Sequence, residues 1–239
     1  MKRLYILLIT LILLSCGNGK SVLLPEIENA TITEIHDVSH AYLFYDETQT
    51  DSIELNRKNL ISTTNWLINV DKRLTLEQAI PKIKFLQDKK RNAKMHKNED
   101  AKNYFTCHDT TINNLGFLEF TDVVYTLDNT KAPLKNNTTP FNESDYKPDG
   151  NFYRGLDITQ NITLYFESTE TVYGISTILK TNQIKSYLEA LLKPGIANKL
   201  EISLIFNKNL DFQDYINFKS ILSKLKSDIV TINNNEFIY

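Results

Sequence analysis

Cys107-His108-Asp109 is the one place in this chain where a nucleophile, a base and an acid stand together. Thiol catalysis needs a base within hydrogen-bonding reach of the sulfur. Neighbours along a strand point to opposite faces, so Cys107 and His108 are poorly placed to serve each other. A hydrolase built on Cys107 would have to draw its base from His36, His40 or His96. Beside aromatic Tyr104 and Phe105, a lone cysteine reads instead as a small buried hydrophobe. His36 and His40 have the spacing that brings two metal ligands to one helix face. No Glu adjoins His36 as a zinc-protease motif demands, however, and the neighbouring Tyr42–Tyr45 run reads as strand. The run Lys89-Lys90-Arg91-Asn92-Ala93-Lys94-Met95-His96-Lys97 suits anionic lipid headgroups or the acidic groups of peptidoglycan, and equally a solvated helix end where cations meet the carbonyl dipole. No glycine-rich phosphate loop, Gly-x-Ser-x-Gly elbow or paired-cysteine zinc site occurs. We expect no catalytic residue, no metal and no cofactor.

The elements that would position such residues recur in pairs. Tyr42–Thr50 aligns with Thr163–Thr171, each an apolar and aromatic strand running into an acidic, threonine-rich turn. Trp66–Leu76 aligns with Ile202–Phe212, each an apolar strand, then Asp71-Lys72-Arg73 or Asn207-Lys208-Asn209, then a helix start. Thr75 with Gln78 forms a capping-box pattern, and Asp211 is a good N-cap for the equivalent helix. Behind them Leu76, Ile80, Ile83 and Leu86, and Phe212, Tyr215, Ile216, Ile221, Leu222 and Leu225, recur at helical spacing. Pro81 is expected to kink the first helix or shift its start. A third pair is Thr111–Asn114 and Thr231–Asn234, each close to a final strand. The second copy has an extra helix over Asn182–Leu192, stopped by Pro194-Gly195, and the first a polar insert at Lys89–Lys102. Asp128–Arg154, rich in Asn, Thr and Pro, reads as a linker or long surface loop. The expected fold is α/β in the α+β sense: two tandem copies of a strand-strand-helix-strand-helix-strand unit, packed as a pseudo-dimer or as separate lobes.

With 239 residues, 41% hydrophobic and 23% charged, the chain is ordinary globular material, enough for one large domain or two of about 100 residues. A formal charge of −2 offers no broad basic surface, which argues against a nucleic-acid partner.

The amino terminus carries an address. Lys2 and Arg3 precede an uncharged apolar stretch, Tyr5–Leu14, about half as long as a membrane-spanning helix requires. Leu13-Leu14-Ser15-Cys16 resembles the lipobox of bacterial lipoproteins, in which the cysteine is acylated and becomes the new amino terminus. The resemblance implies cleavage of residues 1–15, lipidation at Cys16, and a soluble domain held to a membrane of the cell envelope, since two or three acyl chains anchor almost permanently. Gly17, where an Asp would favour the inner membrane of enteric bacteria, points toward the outer membrane. The organisation is then signal peptide 1–15, lipidated tether 16–40, first copy 41–127, linker 128–154 and second copy 155–239.

The order of elements, with Leu24-Pro25, Tyr42–Tyr45, Ile53–Asn56 and Asn69–Leu74 in the first copy and Asn207-Lys208 before a capped helix in the second, resembles the periplasmic domain of ExbD/TolR-type transport proteins. That family is held by a membrane-spanning helix with an acidic residue used in proton-driven work. Tyr5–Leu14 contains no carboxylate. What the resemblance implies is therefore the binding half of the job: an adaptor for an envelope protein or for peptidoglycan, with the turns Asp71-Lys72-Arg73 and Asn207-Lys208-Asn209 as recognition or packing corners. The alternatives are the Cys107 hydrolase and a structural surface lipoprotein with a lineage-specific partner.

Overall fold

The structure, a computed structural model, describes residues 20–93, 98–132, 138–146, 158–193, 196–225 and 227–239. It is a mixed α/β fold built on two mixed sheets. Sheet 1 contains β1 (Glu26–Ile27), β2 (Val38–Tyr45), β3 (Ile53–Asn56), β4 (Asn65–Val70), β5 (Asn103–Asp109) and β6 (Asn114–Glu119), in the order β1-β5-β4-β2-β3 with β6 against β5. Sheet 2 contains β7 (Val124–Leu127), β8 (Thr139–Pro140), β9 (Thr159–Phe166), β10 (Val172–Gly174), β11 (Thr177–Leu179), β12 (Lys199–Phe206) and β13 (Val230–Ile238), in the order β7-β13-β12-β9-β10-β11-β8. The helices are α1 (Leu76–Arg91), α2 (Ile184–Leu191) and α3 (Phe212–Ser223).

Alternation in the sequence decides which side of each strand is covered. In β2, Ser39, Ala41 and Leu43 are buried while His40, Tyr42 and Phe44 stay partly exposed on the outer face. Central β4 buries Trp66, Leu67, Ile68 and Val70, as expected of a parallel strand covered on both sides. Helix α3 lies between the sheets. Phe105 of sheet 1 meets Phe212 and Tyr215 of α3 at 5.2 and 6.2 Å, and Phe206 of sheet 2 meets Tyr215 at 5.1 Å. One apolar cluster runs through both sheets and all three helices.

Both sheets contain the same arrangement of three parallel strands with an antiparallel hairpin partner: β2, β4 and β5 with β3, and β9, β12 and β13 with β10. The register differs from the one suggested by sequence. Leu43 lies opposite Val70 and Phe166 opposite Phe206, so Leu43 corresponds to Phe166, whereas alignment of the strands placed it with Leu164. A slip of two keeps every side chain on its face, so the hydrophobic pattern could not detect it. The third sequence pair is not equivalent in space. Thr111–Asn114 follows the end of β5, with Asn113 at φ 50°, whereas Thr231–Asn234 lies inside β13, where the register against β12 jumps between Ile202/Ile232 and Leu204/Glu236.

Three segments sit differently from their expected roles. Val124–Leu127, counted with the first copy, forms the edge of sheet 2 beside β13. Within the stretch read as a linker, Thr139–Pro140 pairs with β11, and Phe141 and Tyr146 pack on Tyr187 at 5.6 and 5.9 Å. The stretch read as a tether is a strap for most of its described length. Leu23 accepts from Lys72 N–H, β1 pairs with β5, Ala30 N–H donates to Asp109, and Phe117 N–H donates to Ile32. α1 starts at Leu76 behind a complete Thr75/Gln78 capping box and runs through Pro81. Residues 133–137, 147–157, 194 and 195 lie outside the described residues, and with them Pro133, Pro148, Gly150, Arg154 and the Pro194-Gly195 stop.

The strap and β6 touch at Gly116, where an added Cβ would sit 2.6 Å from Ala30 Cβ and 3.0 Å from Ile27 Cδ1. Gly116→Ala must therefore lift the strap. We expect it to cost about 1–3 kcal/mol, read as a lower urea midpoint from the emission of Trp66, the single tryptophan.

Candidate functional site

The two turns singled out by sequence meet at the junction of the halves. Asp71 is buried, and its carboxylate accepts from Arg73 Nε at 2.9 Å, Arg73 Nη2 at 2.8 Å, Arg73 N–H at 3.1 Å and Leu23 N–H at 3.2 Å. The Arg73 guanidinium lies over the Tyr45 ring at 4.6 Å. Burial alone would raise the Asp71 carboxyl, but the Arg73 side chain and the two backbone donors outweigh it and hold the group below the ordinary aspartate range. In the other turn Asn207 Oδ1 accepts from Asn209 N–H at 2.9 Å, a neutral version of the same Asx turn.

A helix start leaves its first N–H groups without partners inside the helix. Here each helix is completed by the opposite turn. Leu76 N–H donates to Leu210 O at 2.9 Å and Glu77 N–H to Lys208 O at 3.0 Å. In return Phe212 N–H donates to Leu74 O at 2.7 Å and Gln213 N–H to Lys72 O at 3.3 Å. Exchanging one turn for the other maps each bond onto its mate, and Thr75 and Asp211 form the bridge at the centre. The next N–H in each helix is capped within its own turn, Gln78 by Thr75 Oγ1 and Asp214 by Asp211 Oδ1. The flanking cations also have partners: Lys208 pairs with Glu77 at 3.1 Å and Lys72 with Glu26 at 2.6 Å. All six predicted residues, Asp71, Lys72, Arg73, Asn207, Lys208 and Asn209, thus border one junction, and much of their bonding is spent within the chain.

Beside this junction is a cleft of about 450 Å³ lined by Glu26, Lys72, Thr110, Gln213, Asn217 and Lys224 among others. Gln213 ties its walls together, donating to Glu26 O at 2.8 Å and Asn217 Oδ1 at 2.9 Å while accepting from Glu26 N–H at 2.8 Å. Such a lining holds charge and exchanges hydrogen bonds; it includes the hydroxyls of Thr110 and Ser220 but no cysteine or histidine.

The remaining sequence candidates separate. Cys107 is 0% exposed, and burial pushes its thiol far above the ordinary range, so the thiolate that attack requires is suppressed. Asp109 is used locally, accepting from Ala30 and Thr111 N–H. His36 is exposed near Glu34, whereas His40 stacks on Tyr42 in β2, so the two do not share a helix face. In the basic run, Lys90 turns inward instead of facing solvent. Its ammonium donates to Thr64 O, Lys102 O and Asn103 Oδ1 and lies 5.1 Å from the Trp66 ring centre, and burial lowers its pKa to about 8. Arg91 donates to Thr121 O and Val123 O. Cys16 and Lys94–Lys97, with His96, lie outside the described residues.

One group escaped the sequence reading. Glu236, 0% exposed, accepts from Tyr215 Oη at 2.8 Å and pairs with Lys219, while Tyr215 Oη shares a 3.0 Å bond with Tyr125 Oη. Burial raises both phenols well above their ordinary pKa. Lys219 lines a cavity of about 320 Å³ between the 119–123 loop and Asn233-Asn234. The available signal was a carboxylate set directly before Phe237-Ile238 in a final strand.

Fold and site together define an α+β protein of two sheets joined through paired strand-to-helix turns. No protein-family model, curated protein or solved structure matches the chain.

Two outcomes follow from these surroundings. An aspartate with a lowered folded pKa stabilises fully above its unfolded value of about 3.9, and that stability is lost as the pH falls through the lower folded value. Asp71→Asn should therefore cost roughly 1–3 kcal/mol at neutral pH, with the gap from wild type closing in acid, as denaturant titrations at a series of pH values would record. Cys107 should resist a thiol reagent in the folded protein and react only after denaturant is added; fast labelling of the native state would contradict its placement.

Proposed function

We propose that this chain is a lipid-anchored, non-catalytic protein of the bacterial cell envelope that acts as a binding or adaptor module. Its two halves would be divergent copies of a unit resembling the ExbD/TolR periplasmic domain, packed as a pseudo-dimer within one chain. The observation that carries this reading is the reciprocal bonding of the turns: Leu76 to Leu210 and Phe212 to Leu74, Glu77 to Lys208 and Gln213 to Lys72. Equivalent positions of two related units exchange equivalent bonds across a two-fold axis, which is the form of a symmetric dimer interface.

The membrane attachment rests on Leu13-Leu14-Ser15-Cys16. No helix among the described residues is long and apolar enough to cross a membrane. A lipid in place of a membrane-spanning helix removes the carboxylate that proton-driven work requires and leaves binding as the shared task. The partner would be an envelope protein, such as a subunit of a transport complex, or peptidoglycan. The burial of Cys107 supports a non-catalytic role.

The test is crosslinking in cells followed by pull-down of the lipidated protein, with Cys16→Ser as the unanchored control. Acylation of Cys16 and recovery of a transport-complex subunit or cell-wall fragments are expected. Recovery of neither partner from the acylated protein would overturn the adaptor reading, and a wild-type Cys16 without acyl chains would overturn the anchor.

A further inference from the structure

We infer that the outer face of sheet 1, at the row His40, Tyr42 and Phe44, is held against the headgroup region of the bilayer. The inference rests on the lipid-anchor reading above and adds the orientation of the domain.

Three observations place this face toward the anchor. First, the described chain begins on it. The Lys20 ammonium bonds Asp46 at 2.6 Å and also bonds Glu54. Glu54 is the cross-strand partner of Phe44, and Asp46 lies two residues beyond Phe44 on the same face. Second, the reach from there to the lipid is short. Only Gly17, Asn18 and Gly19 separate Cys16 from Lys20, so even a fully extended chain spans at most about 14 Å. An acylated Cys16 would keep the Phe44 end of the face close to the bilayer. Third, the face carries side chains suited to that setting. His40 stacks on Tyr42 with ring centres 6.1 Å apart, and Tyr42 on Phe44 at 5.7 Å, all three partly exposed. Elsewhere on the same face the chain supplies its own cover, with Ile32, Ile35 and Val38 packed on Leu67, Tyr104 and Phe117.

The charges suit a zwitterionic surface. Lys20 offsets Asp46 and Glu54 beside Phe44, leaving an aromatic patch whose acidic border repels anionic headgroups and admits neutral ones. Aromatic side chains with a polar tip, such as Tyr42, favour the membrane–water boundary. Phe44, nearest Lys20, should sit deepest, with Tyr42 next along the strand.

The experiment uses the full lipidated protein carrying Trp66→Phe, which removes the single native tryptophan. Phe44→Trp, Tyr42→Trp or Ile229→Trp is then introduced singly; Ile229 is exposed in the turn just before β13 of sheet 2. Each protein is mixed with phosphatidylcholine–phosphatidylethanolamine vesicles with or without brominated acyl chains, and flotation and emission are read together. We expect all three variants to float, with bromolipid quenching strongest for Phe44→Trp, weaker for Tyr42→Trp and absent for Ile229→Trp. Flotation with no quenching at 44 or 42, or with equal quenching at all three positions, overturns the orientation and leaves the anchor intact. Failure of the acyl-free Cys16→Ser control to float, beside flotation of the parent, shows that the anchor reading holds independently. Failure of the parent to float overturns both. Loss of binding to isolated cell wall by Phe44→Ala, with no bromolipid quenching at 44, would assign the face to glycan and overturn the proposal.

Discussion

The amino-terminal N–H groups of an α-helix have no partner within their own helix, and buried backbone donors are costly to leave unpaired. In this protein α1 and α3 meet that demand with each other's loops. The first two N–H groups of each helix donate to carbonyls of the opposite turn, and the third is capped by its own Thr75 or Asp211. Separating the halves would strip four backbone donors of their acceptors and uncover Phe105, Phe212 and Tyr215, which pack together across the same boundary. The strap from Leu23 to Ile32 adds a second connection, since Glu26 is bonded to Gln213 of α3 while β1 is paired with β5. The two sheets are therefore one structural unit.

This constraint explains why the residues with the most suggestive pattern do so little that is outwardly chemical. Asp71 spends its carboxylate on Arg73 and Leu23, Lys72 pairs with Glu26, and Lys208 pairs with Glu77. Lys72 borders the polar cleft, while its backbone carbonyl and that of Lys208 close the junction. A ligand that engaged Lys72 or Gln213 would touch the contacts holding the halves together, which couples any binding in the cleft to the packing of the whole. The buried Glu236–Tyr215–Tyr125 chain adds a further polar link across the core, because Tyr215 belongs to α3 and the other two to neighbouring strands of sheet 2.

Much of the architecture was legible in local pattern. The capping residues Thr75 and Asp211, the helix behind each, the additional helix before the second central strand and the alternation of β2 all follow from short-range rules about orphan donors and side-chain period. The strand alignment was less accurate, because a two-residue slip leaves the buried face unchanged. Thr111–Asn114 and Thr231–Asn234 share letters without sharing a place in the fold. The inward turn of Lys90 ran against its charge: only the assembled carbonyls of Thr64 and Lys102, with Asn103, make a site where an ammonium loses water without losing all its partners.

By itself the sequence determined the class of fold and the positions of the paired turns, since each depends on residues close together in the chain. Tertiary structure alone decided that those turns bond to each other, that Val124–Leu127 joins the far sheet and that the supposed tether is a strap bound to both halves. The physical reason is that hydrogen-bond partners for an edge strand or a helix start are chosen by proximity in space, and no periodicity within a segment encodes which distant carbonyl will be nearby. In the proposed reading Cys16 holds the chain, and the bonds of Lys20 beside Phe44 select the face turned to the membrane.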